Sequence, residues 1–119
     1  MGFNAYHKVY TDIRKGDGYD DLLLGGNKNA YVINSFFVCS AYCVDKIEGP
    51  WDIVRSYVSD SINCSDQGSD FEWDEEKMDK VINEVKMTYP DHKDTKSCLY
   101  TLRKMKKLNQ SDVYEFHCY

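Results

Sequence analysis

Apolar residues recur along this chain mainly at helical intervals. From Ile33 they return at Phe36, Phe37, Ala41 and Val44, offsets of three, four, eight and eleven, which is one face of an α-helix. This spacing predicts a helix from about Asn29 to Asp45. Gly49-Pro50 then stops one helix and opens another, because proline suits the first helical position, where its missing N–H costs nothing. Trp51, Val54, Tyr57, Val58 and Ile62 supply the stripe of that second helix. Residues Asn63 to Trp73 are rich in turn formers and read as a loop. Met78, Val81, Ile82, Val85 and Tyr89 give a third helical stripe, with Asp74, Glu75 and Glu76 in its first turn, where the macrodipole favours negative charge. Pro90 ends it. Asp94 is placed to cap a fourth helix carrying Cys98, Leu99, Leu102 and Met105, with Arg103, Lys104, Lys106 and Lys107 gathered at its C-terminal end. Asn109-Gln110-Ser111 breaks that helix before a short last segment, Asp112 to Tyr119. No strand-like alternation persists beyond about four residues. The expected fold class is all-α: a small bundle of four main helices with a short C-terminal helical segment. It forms a single helical domain over 1–119. Residues 1–26 are read as an irregular lead-in, broken by Gly16-Asp17-Gly18 and Gly25-Gly26, with a turn or two of helix near Asp20 to Leu24.

Length and composition support one modest core. The chain has 119 residues, 42% of them hydrophobic and 14% aromatic, a one-domain size. No apolar run approaches the roughly 20 residues a membrane helix needs, so no membrane partner is expected. A net charge of -5 argues against a general nucleic-acid binder, which needs clustered Lys and Arg facing phosphate. It suits a binder of basic partners.

Five cysteines, Cys39, Cys43, Cys64, Cys98 and Cys118, exceed the usual share of a cytosolic chain this small and suggest an oxidising compartment. The Met1-Gly2-Phe3-Asn4 start has neither a basic nor an apolar signal region, so an exported protein would be a mature form. Asn63-Cys64-Ser65 and Asn109-Gln110-Ser111 match the glycosylation sequon and leave a secreted eukaryotic origin open. Cys39 and Cys43 would share a helix face, but no second Cys or His pair completes a four-ligand metal set. Buried, small, apolar cysteine is the simpler reading.

No enzyme signature is present. His7, His92 and His117 are scattered, and neither glycine pair has the strand and lysine of a phosphate-binding loop. No catalytic residue, metal or cofactor is expected. Charge is more informative, because the signs segregate. From Asp60 to Asp79 there are eight acids against Lys77, and from Lys93 to Lys107 six bases against Asp94. Most such residues are solvated surface or dipole-matched helix ends. Phe71 and Trp73, however, lie within the acidic stretch holding Asp66, Asp70 and Glu72, and aromatic anchors rimmed by charge make protein-binding hot spots. Trp73 could equally pack as a staple at the start of the third helix.

The order of features resembles the periplasmic immunity proteins of type VI secretion amidase effectors. Phe37-Val38-Cys39-Ser40-Ala41-Tyr42-Cys43-Val44-Asp45-Lys46 is similar to that family's first-helix segment, Arg55-Ser56-Tyr57-Val58 to its second, and Lys80 through Tyr89 to its third. Lys96-Ser97-Cys98-Leu99-Tyr100 and Leu108-Asn109-Gln110-Ser111-Asp112-Val113 are similar to its closing segments, although Tyr100 or Thr101 stands where the family has an acid. The resemblance implies a mature, periplasmic, all-α protein, often a homodimer, that plugs the cleft of a peptidoglycan-cleaving amidase toxin. The plug would be the acidic loop or the segment Pro90-Asp91-His92-Lys93-Asp94, the latter a short one. It also implies a disulfide from Cys39 or Cys43 to Cys98.

The partner-binding candidates are thus Asp66, Asp70, Phe71, Glu72, Trp73, Asp91, His92 and Lys93. The first expectation is an immunity protein that inhibits an amidase toxin. One alternative is a cytoplasmic inhibitor of a basic nuclease, with Asp66, Asp70, Glu72, Asp74, Glu75 and Glu76 mimicking phosphates. Another is a secreted helical carrier of a small apolar ligand.

Overall fold

The computed structural model describes residues 3–12, 31–41, 44–62, 70–109 and 111–118. In chain order the elements are β1 (Phe3–Asp12), β2 (Tyr31–Ala41), α1 (Pro50–Ile62), β3 (Asp70–Trp73), α2 (Glu75–Thr88), α3 (Thr95–Leu108) and β4 (Tyr114–Cys118). The strands form one antiparallel sheet in the order β2-β1-β4-β3. The three helices pack on one face of it. The fold is therefore mixed α/β, and the expected all-α bundle is wrong.

Three of the four expected helices exist, starting at Pro50 and following Asp74 and Asp94. The fourth does not: the segment read as a helix from Asn29 to Asp45 contains β2. Its Tyr, Val, Ile and Phe content suits a pleated surface. Its apparent helical repeat comes from apolar residues on both faces of the strand: Phe36 pairs with inward His7 and Phe37 with outward Tyr6, so two adjacent phenylalanines read as one helical stripe. The strand also carries a β-bulge. Ala5 pairs with Cys39 but Tyr6 pairs with Phe37, so Val38 is the extra residue. Val38 and Cys39 are consequently both buried, while Phe37 and Ser40 on either side are exposed. Two consecutive inward side chains break the period of two. The lead-in is likewise a strand over Phe3–Asp12, the expected loop holds β3 at its end, and the last segment is β4 rather than helix. The turn read near Asp20 to Leu24 lies outside the described residues.

The helix ends follow their chemistry. Asp74 caps α2 by accepting a 2.7 Å hydrogen bond from the Lys77 N–H, as an N-cap carboxylate should. Asp94 occupies the equivalent position of α3 without a side-chain cap bond.

The core lies between the sheet and the helices. Ala5 and His7, Cys39, Tyr114, Phe116 and Cys118, and Trp73 meet Val54, Val58, Met78, Val81, Val85, Leu102 and Met105. Phe71 stacks on Phe116 at 4.6 Å, and Trp73 lies 4.6 Å from the same ring at a tilt. The Trp73 indole N–H donates to Ser61 Oγ at 2.9 Å, and that hydroxyl donates to the Tyr57 carbonyl at 2.8 Å. Tyr114 donates to Glu75 Oε2 at 2.6 Å, which ties β4 to α2. Lys106 bridges back from α3 to Asp79 at 2.6 Å and Glu75 at 2.8 Å, so α2 and α3 form an antiparallel hairpin.

Cys39, Cys98 and Cys118 are buried free thiols. The bridge from Cys39 or Cys43 to Cys98 is therefore not formed. Register also keeps Cys39 and Cys118 from bridging. Ala5 pairs with Cys39 on one side and Cys118 on the other, so those two lie two strand spacings apart, about 9–10 Å, beyond the roughly 7 Å that a disulfide spans.

Candidate interaction surface on the open sheet face

The sheet face opposite the helices is built by alternation. With Ala5, His7, Tyr114, Phe116 and Cys118 turned inward, Asn4, Tyr6, Lys8, Glu115 and His117 must turn outward, and they are exposed or half-exposed. From the edge strands Phe37, Ser40, Asp70 and Glu72 join them. Register then sets a row across all four strands, Phe37, Tyr6, His117 and Asp70.

The row is held by specific contacts. The Tyr6 and Phe37 rings meet edge to face at 5.6 Å. Phe37 is nonetheless 49% exposed. Asp70 takes a 2.8 Å ion pair from Lys8 and a hydrogen bond from His117 Nδ1. Those two partners, Lys8 first, hold its carboxyl below the usual carboxylate range, because each stabilises the charged form.

Two residues further along the strands the pattern changes. Glu72 and Glu115 are directly opposed across β3 and β4, and neither has an ion-pair partner among the described residues. Like charges directly opposite each other destabilise a strand pair. The surface thus joins an aromatic end, Phe37 and Tyr6, to an acidic end whose charge is only partly neutralised.

The expected site residues divide between surface and core. Asp66 lies outside the described residues. Asp70 and Glu72 are on the open face. Phe71 and Trp73 point the other way, and Trp73 is only 1% exposed, so the packing use of this tryptophan is the one found. Asp91, His92 and Lys93 lie in the α2–α3 connection, at the far end of α2 from Glu72. A 14-residue helix separates the two groups by about 21 Å, so they form no common site. His92 is partly buried. Its ring meets Tyr89 edge to face at 5.5 Å, its Nδ1 accepts from the Asp94 N–H at 3.0 Å, and it approaches Gly49 closely enough that a Cβ there would lie 3.4 Å from Nε2. It pins the loop against the start of α1.

Tyr6, Lys8, Phe37, Glu115 and His117 were not among the sequence candidates. The signal for them was the short alternation in Asn4-Ala5-Tyr6-His7-Lys8 and Tyr114-Glu115-Phe116-His117-Cys118. Among the described residues no group of His, Cys, Asp or Glu is arranged to hold a metal ion, and no helix is long and apolar enough to cross a membrane. Set against known protein families, characterised proteins and solved structures, the chain matches none.

Proposed function

We propose that this protein is an inhibitory binding module of the immunity type, which occludes a secreted toxin enzyme through the open face of its sheet. The observation that carries the reading is the opposed pair Glu72 and Glu115 on the same sheet face as exposed Phe37 at its other edge. A like-charge pair that costs stability in the free protein suits a surface completed by a cationic partner, with the aromatic end supplying burial. Long-range attraction from a chain of net charge -5 would speed the encounter.

Of the two toxin classes expected, a basic nuclease is the better fit. Its substrate is a polyanion, which Asp70, Glu72 and Glu115 can imitate. Three free buried thiols accord with a reducing compartment. A peptidoglycan amidase as partner rests on the family resemblance, and the all-α fold implied by that resemblance is not the fold found. The Phe71 and Trp73 anchors of the earlier expectation are replaced here by Phe37 and Tyr6.

The test is residual activity of purified nuclease and amidase toxins titrated with this protein. Inhibition of a nuclease should weaken at least about ten-fold, or about 1.4 kcal/mol, in Glu72→Lys and again in Phe37→Ala. The same Glu72→Lys change should raise stability by roughly 0.2–1 kcal/mol, since it turns a repulsive cross-strand pair into an attractive one. Amidase inhibition alone would reassign the partner. Inhibition of a toxin that is insensitive to both changes would move the site off the sheet.

A further inference from the structure

The solvent side of the α2–α3 hairpin carries a second surface, independent of the sheet face. The inward positions are Met78, Val81, Ile82 and Val85 on α2 and Cys98, Leu102 and Met105 on α3. On the opposite side of α2, Glu76, Lys80, Asn83 and Met87 follow one another at offsets of four, seven and eleven, with Asp79 and Glu84 beside them, and they line a shallow groove. On α3, Lys96, Tyr100, Arg103 and Lys107 repeat the same offsets, and Tyr100, Arg103, Lys104, Lys107 and Leu108 line a second groove. The first groove carries three acids and one base. The second carries three bases and no acid.

Each groove also holds an uncovered apolar knob. Met87 is 84% exposed and Tyr100 67%, the two most exposed large hydrophobic side chains among the described residues. Arg103 and Lys107 have no ion-pair partner among the described residues, whereas neighbouring Lys106 is engaged with Asp79 and Glu75. Lys104 lies 5.0 Å over the Phe36 ring.

The geometry points to a second copy of this chain as the occupant of both grooves: the acidic α2 face of one copy seats on the basic α3 face of the other. Because the two helices form one antiparallel hairpin with both faces on its solvent side, a two-fold axis that makes this contact once makes it twice, giving a closed, isologous dimer. Charge complementarity selects this occupant over a nucleic acid. The basic groove has its acidic complement on the same molecule, and the chain's overall charge of -5 opposes a polyanion.

The test is sedimentation equilibrium of the whole protein and two paired variants, with circular dichroism confirming that each is folded. One variant is Arg103→Glu with Lys107→Glu. The other is Glu76→Lys with Asn83→Lys, which leaves Glu84 alone because it accepts the Tyr57 hydroxyl. The wild type should dimerise, and its dissociation constant should rise at least about ten-fold between about 0.05 and 0.5 M salt, as screening shortens the reach of the charges. Each variant alone should be a monomer, and an equimolar mixture should recover the dimer, since both contacts are then again between opposite charges. A wild type that stays monomeric, a dimer that survives in either variant, or a mixture that stays monomeric overturns the proposal. Single-stranded RNA bound by a monomeric wild type and lost in Arg103→Glu with Lys107→Glu overturns it in favour of a polyanion site. None of these outcomes bears on toxin inhibition, which uses the other side of the molecule.

Discussion

His7 is the residue whose surroundings constrain it most. It is fully buried between the β4 aromatics Tyr114 and Phe116, with ring centroids 5.9 Å from each. Its Nδ1 lies 3.0 Å from the Glu115 carbonyl oxygen. A carbonyl can only accept, so the proton sits on Nδ1 and Nε2 presents a bare lone pair, buried and without a partner. Protonating Nε2 would place a charge where nothing solvates it, and burial accordingly lowers the pKa from 6.5, against the smaller opposing pull of the Glu115 carbonyl. The unfolded chain therefore takes up the proton first as pH falls. The stability that depends on neutral His7 is complete above about pH 6.5 and declines below it toward the folded-state value. Urea midpoints measured at pH 7.5 and 5.5 should show this decline in the wild type. The decline should be smaller in His7→Leu, and equal declines in the two would mean that the ring titrates as freely folded as unfolded.

At the scale of elements, α2 is the best-defined unit, opened by the Asp74 cap and fastened at its first turns by Tyr114 and Lys106. Lys106 and then Tyr114 hold the Glu75 carboxyl below its usual range. Asp74→Ala removes the acceptor of the Lys77 N–H and should cost about 0.5–2 kcal/mol in denaturant unfolding, while Asp94→Ala, which breaks no side-chain cap bond, should cost less. These helices could be read from the sequence because their stripes of Val, Ile, Leu and Met face one core at a period of 3.6 and their ends carry capping chemistry. The strands could not. The inward positions of β1 include Ala5 and His7, weak marks of a core, the alternation in β4 runs over only five residues, and β3 is only four residues long. β2 was hidden because Phe36 and Phe37 put apolar side chains on both of its faces. The candidate surface was legible only at Asp70 and Glu72, because an open sheet face gathers its residues through register between distant strands, and register is not written in local spacing.

For the whole molecule, the three thiols test how tightly helices and sheet close together. Burial raises Cys39 and Cys98 to about 12, with Arg55 pulling each back, and raises Cys118 to about 11, so none is a thiolate at neutral pH. Alkylation of native protein followed by peptide mass analysis should leave these three unmodified until the fold is lost, and rapid labelling of Cys98 in the native protein would show α3 lifting away from the sheet. The outermost strand raises a different matter. β2 is eleven residues long, and among the described residues only β1 pairs with it, so one edge offers a row of backbone donors and acceptors of the kind that templates fibrils. The extra residue at Val38 bends and twists that row out of the flat register another chain would need. Deleting Val38 would straighten the edge and favour ordered aggregation. One residue too many for regular pairing is what keeps this edge from being recognised by its own copies.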